Sequence, residues 1–328
     1  MQNMENIARN HHFLPAFYLA GFTPAENKDD FLYVLDLEAH KQWRVRPQNA
    51  GAVRDFNLIN IPEVRPDIIE KQVLSPFEAR VASILLKIFE TKSLPKENAF
   101  IDFLNFIALL AIRNPTNRAK KIEFYEEKIG IESQQFFSSP EVYKQTIDKV
   151  KDILREEGKN LPEDIPYTEM KRFIEETRYK IEIPTITHIL HEFDIITFVV
   201  STLLERKWTI VVSNEGNEFI CSDHPVALLS TLSDQRPSKI SDFGMKNTLL
   251  TFPLNKNIAV IGKFEGESTI INADSVIVNK INGLTALFAK RYLYSAKREF
   301  TLILENGRKM NSHEMINAKA NNQNWCKS

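Results

Sequence analysis

Two polar segments far apart in the chain carry side chains that could do acid–base or metal chemistry. The first is the pair His11 and His12, which stands directly before an apolar run that contains Pro15. The second comprises Ser222, Asp223, His224 and Pro225. An imidazole has a pKa near neutrality and both donates and accepts hydrogen bonds, and a carboxylate binds divalent cations. We therefore predict that His12 and Asp223 manage a water molecule or a divalent metal of unknown identity.

Arg113 is the third catalytic candidate. It ends an apolar segment and stands two residues before Pro115. A guanidinium matches the geometry of a phosphate or a carboxylate, so Arg113 could hold a phosphate group. A cation at the carboxyl end of a helix also interacts favourably with the helix dipole, and this purely structural role is the alternative.

The other candidates also have structural interpretations. His12 could cap a short helix or satisfy a buried carbonyl, and Asp223 could accept a hydrogen bond from the backbone two residues on, as in an Asx turn. His188 and His191 lie three apart in an apolar helical pattern without HExxH, which favours a core helix over a metal site. Ser75 and Glu78 have the spacing of a capping box, which explains Glu78 without any further role.

The elements that would position these residues can be predicted from periodicity. Residues 11–22 form a short apolar helix or plug, and residues 31–46 form a β-hairpin. An amphipathic helix starts at Ser75, and a second apolar helix ends before Pro115, because the residue before proline avoids the helical region. Residues 116–180 are strongly charged and are predicted to form an exposed helical excursion, and another apolar helix begins at Pro184.

After residue 207 the pattern is mostly that of strands. Residues 208–213 and 218–222 are predicted to pair as a hairpin, and residues 247–254 and 257–264 add two strands. These elements indicate an α+β fold: a helical middle region packs with a mostly antiparallel C-terminal sheet, and the N-terminal plug and hairpin dock on that sheet. We predict one compact domain over residues 1–300, followed by a final strand and a polar tail over residues 301–328.

The composition is that of a globular protein. The 328 residues are 43% hydrophobic and 26% charged, with a formal net charge of −1, so no global field attracts nucleic acid or anionic lipid. The two cysteines form no CxxC pair, which argues against a disulfide framework and fits a reducing cytoplasm. No signal peptide, no bilayer-spanning run and neither of the common phosphate-binding glycine loops is recognised. We expect a cytoplasmic protein without membrane contact.

Several motifs combine into a family pattern over residues 11–300. They are His12, Phe13, Leu14, Pro15, Phe17, Tyr18, Leu19 and Phe22; Arg113 with Pro115; Trp208 before Ser222, Asp223 and Pro225; and Asn279, Asn282, Tyr294 and Ser295. In this combination the chain resembles the bacterial family known as domain of unknown function 4238. That family often carries Asn where this chain has His224. The resemblance implies no established activity, but it indicates which polar residues belong together and adds five substrate-binding candidates: His11, Ser222, His224, Asn279 and Asn282.

Three functions are compatible with these residues. The first is a hydrolase that acts on a phosphate-containing substrate such as nucleic acid or a nucleotide, with His12 and Asp223 handling a water or metal and Arg113 the phosphate. The second is a non-catalytic binding or regulatory module, in which the same residues form a hydrogen-bonded clasp between the plug and the sheet. The third is a partner-binding protein that uses residues 116–180.

Overall fold

The computed structural model describes residues 7, 9–176, 180–231 and 240–317 of the chain. The chain divides into two compact units: Met1–Pro115 together with Thr185–Ser328, and Thr116–Pro184. The second unit overlaps the predicted charged excursion at 116–180. All candidate site residues belong to the first unit.

The described residues contain thirteen strands and nine α-helices. The strands are β1 Asn10–His12, β2 Leu32–Asp36, β3 Lys41–Val45, β4 Ala52–Arg54, β5 Lys207–Ser213, β6 Cys221–Ser222, β7 Ala227–Ser230, β8 Thr248–Pro253, β9 Ile258–Lys263, β10 Thr269–Ala273, β11 Tyr292–Ser295, β12 Thr301–Ile303 and β13 Lys309–Asn311. The helices are α1 Ala16–Ala20, α2 Ser75–Thr91, α3 Glu97–Ile112, α4 Pro115–Phe136, α5 Pro140–Glu156, α6 Tyr167–Glu175, α7 Thr185–Leu204, α8 Ser275–Phe288 and α9 Ser312–Asn317.

The largest sheet has five strands in the order β10-β5-β9-β8-β7. Its β10–β5 pair is parallel and its other three pairs are antiparallel. The predicted strands at 247–254 and 257–264 form the β8–β9 pair. Together with the helices, this mostly antiparallel sheet confirms the α+β class.

A second sheet has the order β3-β2-β11-β6. The predicted hairpin at 31–46 is present as β2–β3, but it belongs to this second sheet rather than docking on the first as a separate element. The predicted hairpin of 208–213 with 218–222 is wrong. β5 instead pairs with β9 and β10, and β6 pairs with β11 in the second sheet. Two small sheets, β1–β4 and β12–β13, complete the described strands.

The N-terminal plug packs on the five-stranded sheet and on α3. The Tyr18 ring stacks on Phe252 of β8 with ring centroids 5.5 Å apart, and meets Phe106 of α3 edge to face at 5.6 Å. The Tyr18 hydroxyl donates to the Pro253 carbonyl at 2.7 Å. Tyr18 is 1% exposed, so this polar handle finds its partner inside the core, as a buried tyrosine requires.

The start of α2 differs from the predicted capping box. A π-helical segment, Ile69–Leu74, precedes α2 without a break, so Ser75 has helical dihedrals rather than those of an N-cap. Its hydroxyl donates to the Glu70 carbonyl at 2.8 Å. Because the helix begins before Ser75, no exposed N–H groups remain there to be capped, and Glu78 is left for another role.

The end of the chain is more structured than the predicted final strand and polar tail. The strand at 301–303 is present, and β13 and α9 follow it. Met310 and Met315 are 2% and 1% exposed and pack in a cluster with Leu302. Burial of these two apolar side chains stabilises the segment. The tail from residue 318 onward lies outside the described residues.

The second unit is helical. Ser139 caps α5 by accepting from the Val142 N–H at 3.2 Å, and α5 ends at Glu156 just before Gly158, where a φ of +67° stops the helix. The Tyr143 hydroxyl donates to the Ile165 carbonyl at 2.7 Å. This internal packing orders α5 against the segment that leads into α6.

One described helix, α7, is long and apolar enough to cross a membrane by length and composition alone. The core helix of a folded domain can have the same length and composition. In the structure α7 packs on α3, and 44% of its apolar window is buried. The apolar helix predicted after Pro184 is confirmed as α7.

Candidate functional site

His12 is held at the end of β1 by its backbone and its ring. β1 pairs with β4 so that His12 faces Ala52, and the Gly51 carbonyl accepts from the Phe13 and Leu14 N–H groups. The His12 Nε2 lies 3.1 Å from the Gln48 carbonyl. A carbonyl only accepts, so Nε2 carries the proton and Nδ1 keeps the lone pair. Within the described residues no group donates to Nδ1.

The pKa of His12 is lowered from its ordinary value. Burial is the largest cause, the hydrogen bond to the Gln48 carbonyl and the charge of Glu70 oppose it, and the charge of Arg113 lowers the pKa further. A lowered pKa keeps the imidazole neutral at pH 7. His12 is therefore in the protonation state that a general base requires.

Arg113 lies directly after α3 and is 3% exposed. Its Nη2 donates to the His12 carbonyl at 3.0 Å, and its guanidinium lies 6.0 Å from the centre of the Phe56 ring. The contact with His12 makes Arg113 a positioning residue that also supplies buried positive charge. The predicted direct hold on a substrate phosphate stays a prediction, which burial to 3% exposure disfavours.

Glu78 of α2 is the functional candidate that the sequence interpretation missed. Burial raises its pKa from 4.5 to about 7; the charge of Arg113 opposes this shift and that of Glu70 adds to it. The Glu78 Oε1 is buried and has no hydrogen-bond partner among the described residues. A carboxyl that is half-protonated near neutrality and has an unpaired buried oxygen is characteristic of active sites.

Glu70 links the two titrating groups. It lies in the π-helical segment before α2, and its Oε2 accepts from the Asn57 amide at 3.0 Å. Its charge acts on His12 and on Glu78, as does the charge of Arg113. We call His12, Glu70, Glu78 and Arg113 the acid–base cluster. Short π-helical segments occur frequently at functional sites.

A sequence signal for Glu78 exists, although the capping-box interpretation concealed it. Val81, Leu85 and Ile88 are buried on one stripe of α2, and Glu78 continues that stripe one turn earlier. A carboxyl at an apolar helical position has to be paired, neutralised or used. That position therefore distinguishes Glu78 from the exposed Glu90 on the same helix.

Asp223 has a different environment from the one predicted. Its Oδ1 accepts from the Lys290 N–H at 2.8 Å, and its Oδ2 accepts from the Arg291 and Tyr292 N–H groups at 2.8 and 3.1 Å. Asp223 is 9% exposed, and burial raises its pKa while these three hydrogen bonds lower it. We call this arrangement the Asp223 clasp, because it fixes the start of β11 beside β6. A role of Asp223 in binding a metal or a water molecule stays a prediction, since none of these three contacts supports it.

The neighbours of Asp223 are also used structurally. The Ser222 hydroxyl accepts from the His224 N–H at 3.2 Å, so Ser222, and not Asp223, forms the local turn. The Asn114 Nδ2 lies 3.1 Å from the His224 Nδ1. Asn114 directly follows Arg113, whose guanidinium donates to the His12 carbonyl. Arg113 and Asn114 therefore connect the segment around Asp223 to the backbone of His12.

The His11 side chain points into the core next to His12. It is fully buried, and its Nδ1 accepts from the Asn57 N–H at 2.9 Å. Asn57 also donates to Glu70, so His11 supports the acid–base cluster through that shared partner. This contact gives His11 a structural role, and substrate binding by His11 stays a prediction.

Asn279 and Asn282 lie at a second place, around a polar pocket of about 200 Å³ beside α8. Asn279 and Ser295 line this pocket. Asn282 is 1% exposed and supports the pocket wall: it accepts from the Ile220 N–H at 3.0 Å and donates to the Glu218 and Thr301 carbonyls. Asn279 thus keeps access to a ligand, whereas Asn282 is committed to backbone groups.

No group of three or more His, Cys, Asp or Glu side chains suited to a metal ion occurs in the described part of the chain. In particular, His188 and His191 on α7 form no such group. The acid–base cluster contains one imidazole, two carboxyls and a guanidinium, and the positive charge of the guanidinium acts on both His12 and Glu78.

The model of one protein family, described as protein of unknown function DUF4238, matches residues 10–299. This range includes every candidate residue named above. No curated protein and no solved structure matches the chain.

Proposed function

Because the chain belongs to the DUF4238 family of proteins of unknown function, we propose its activity from the geometry: a hydrolase that uses acid–base catalysis on a phosphate-containing substrate. One observation carries this proposal. The charges of Arg113 and Glu70 act on both His12 and Glu78, and the two pKa values are shifted in opposite directions: that of His12 is lowered from 6.5, and that of Glu78 is raised from 4.5 to about 7. At neutral pH the pair then offers a neutral base and a protonated acid.

In the proposed reaction His12 Nδ1 takes a proton from the attacking water while Nε2–H stays on the Gln48 carbonyl. The water oxygen forms a bond to phosphorus as the bond to the leaving oxygen breaks. Glu78 gives its proton to that leaving oxygen and becomes a carboxylate, which the buried charge of Arg113 stabilises. Glu78 thereby replaces Asp223 as the carboxyl partner of His12, and Arg113 acts through position and charge.

This assignment predicts a bell-shaped pH profile for the free enzyme. The rate rises as His12 loses its proton, at a pKa below 6.5, and falls as Glu78 loses its proton, at a pKa of about 7. The optimum therefore lies between these values. Glu78→Gln should remove the alkaline limb and leave the acid limb.

The test is phosphoesterase activity against bis(p-nitrophenyl) phosphate and p-nitrophenyl phosphate. Loss of either group should lower the rate about 10²- to 10⁴-fold in His12→Gln and in Glu78→Gln. Glu90→Gln on the exposed side of α2 is the matched control and should retain the wild-type rate. Equal rates in all four proteins, each with unchanged circular dichroism, would refute the hydrolase.

A non-catalytic binding or regulatory module is the second candidate function, and the Asp223 clasp favours it. The carboxyl of Asp223, the ring of His11 and the amide of Asn282 all bind backbone groups. Under this alternative, His12→Ala lowers the melting temperature and no phosphoester is cleaved by any variant. A cytoplasmic location stays a prediction under both functions.

A further inference from the structure

Two arginines on the β2–β3 hairpin share one aromatic ring. The Arg44 guanidinium carbon lies 5.0 Å from the centre of the Phe31 ring and 5.7 Å from that of Tyr33, and the Arg46 guanidinium carbon lies 5.3 Å from Phe31. Stacking on a ring holds a guanidinium in place while its N–H groups still point outward. We call Phe31, Tyr33, Trp43, Arg44 and Arg46 the hairpin surface.

The guanidinium groups of these two arginines have no direct hydrogen-bonding or salt-bridge partner within the described residues. Both side chains are exposed, and their guanidinium contacts in the described residues are with the rings of Phe31 and Tyr33. Elsewhere in the same unit, Arg65 and Arg291 are bound to carboxylates. The acidic group that Arg44 influences most directly, Asp30, already accepts from the Ala25 and Phe31 N–H groups. Two guanidiniums that are held on a ring and bound directly by no carboxylate are suited to phosphate oxygens.

Trp43 adds a stacking group on the same strand. It is 42% exposed, and its ring meets Tyr292 edge to face at 6.3 Å. β3 pairs with β2 alone among the described strands, so it is an edge strand. Side chains alternate between the faces of a strand, so Trp43 and Arg44 stand on opposite sides of this edge. A flexible polymer that crosses the edge can place phosphate on one side and a base on the other.

The hairpin surface adjoins the acid–base cluster through the chain itself. Arg46 directly precedes the 3₁₀ turn Pro47–Asn49, and Gln48 of that turn holds the Nε2 of His12. Two residues of chain span at most about 7 Å. A polymer bound along β3 therefore approaches His12.

We propose that the hairpin surface binds single-stranded nucleic acid, and that this polymer is the phosphate-containing substrate class of the acid–base cluster; the second half rests on the proposed function. Guanidiniums beside accessible aromatic rings form the usual combination for single strands, since unpaired bases stack on the rings while the backbone follows the charge. A duplex hides its base faces, so the exposed indole would gain nothing from it.

The test is the fluorescence anisotropy of labelled 12-nucleotide single strands, one DNA and one RNA, in the Glu78→Gln background, so that no cleavage disturbs binding. Removing two phosphate contacts in Arg44→Gln/Arg46→Gln should reduce the salt slope of binding by about 1.4 and raise Kd about 25-fold at 0.1 M salt. Trp43→Ala should raise Kd about 5- to 150-fold. Lys280→Gln/Arg308→Gln removes the same charge on other elements and should leave Kd unchanged.

Each of the following results would overturn one part of the proposal. Equal weakening in both double variants would show a general charge effect and refute the hairpin surface. Tighter binding of the matching duplex would refute the single-strand class, and binding of phosphatidylserine vesicles without oligonucleotide binding would assign the surface to lipid. Oligonucleotide binding that depends on Arg44 and Arg46, in a protein that cleaves no phosphoester, would retain the surface and remove the hydrolase.

Discussion

The buried carboxyl of Glu78 makes the stability of this protein depend on pH in a specific direction. In the unfolded chain Glu78 loses its proton near pH 4.5, but in the folded protein it keeps that proton up to about pH 7. Between these values the folded state binds one more proton than the unfolded state, so stability falls as the pH rises. Glu78→Gln replaces the carboxyl by a neutral group of the same shape and removes this dependence.

The magnitude follows from the size of the shift. One pKa unit corresponds to about 1.4 kcal/mol, so a shift from 4.5 to about 7 amounts to about 3 kcal/mol. Wild type should therefore lose about 3 kcal/mol of unfolding free energy relative to Glu78→Gln between pH 4.5 and pH 7.5. Most of that loss should be complete at pH 7.5, where the Glu78 carboxyl is largely ionised in the folded protein.

The assay is urea unfolding followed by circular dichroism at half-unit steps from pH 4.5 to pH 8. The informative quantity is the difference in unfolding free energy between variant and wild type at each pH, because other titrating groups cancel in that difference. Glu90→Gln is the control on the same helix, since Glu90 is exposed. Its difference from wild type should stay flat within about 0.5 kcal/mol.

If the difference in unfolding free energy between Glu78→Gln and wild type also stayed constant with pH, the reasoning would be refuted, because Glu78 would then have the same pKa in the folded and the unfolded protein. A difference that grows toward low pH would be equally contrary, since it would indicate a Glu78 pKa below 4.5. Either result would also remove the general acid from the proposed mechanism.

Three further outcomes follow from single contacts. Asp223→Ala leaves three backbone N–H groups of residues 290–292 without their acceptor and should cost about 3 kcal/mol in urea unfolding; an unchanged midpoint would contradict the clasp. Asn282→Ala should cost about 2–4 kcal/mol because three backbone groups lose a partner, whereas Asn279→Ala at the pocket should cost under about 0.5 kcal/mol. Gly283→Ala would place a Cβ 1.9 Å from the Ile303 carbonyl oxygen and should prevent native packing of α8 on β12. Gly130→Ala is the comparison: nothing lies within 4 Å of its added Cβ, so this variant should raise helix stability by about 0.5–1 kcal/mol. Equal melting temperatures in the two variants would refute the steric argument.

The elements that local pattern could predict are those whose partners are close in sequence. The β2–β3 and β8–β9 pairs are joined by short turns. The first was predicted as a hairpin, and β8 and β9 were predicted as strands. β5 was assigned to the wrong hairpin because its true partners, β9 and β10, lie more than forty residues later in the chain. β6 has two residues and β11 has four, which is too short for periodicity, and their pairing is decided by tertiary contact.

In the candidate site, too, partners that lie far apart in sequence were harder to predict than the residues themselves. His12 and Arg113 were recognisable from residue type, and their contact through the His12 carbonyl joins them across 101 residues. That Asp223 acts together with His12 stays a prediction, although the Asp223 carboxyl binds backbone N–H groups. Glu78, which the sequence interpretation explained as part of a capping box, is the carboxyl that our proposal adds. The capping-box interpretation of Glu78 was wrong because the π-helical segment at 69–74 runs into α2 without a break, and that segment leaves no clear sequence signal.

The strand order β3-β2-β11-β6 also determines when this protein can finish folding. β2 acquires its second neighbour from residues 292–295, which a ribosome makes about 250 residues later, or roughly 10–50 s at ordinary elongation rates. Until then the hairpin beside Gln48 has an open edge that invites wrong pairing. The nascent chain would therefore carry an unfinished sheet next to His12 until residues 292–295 have been made and have left the ribosome.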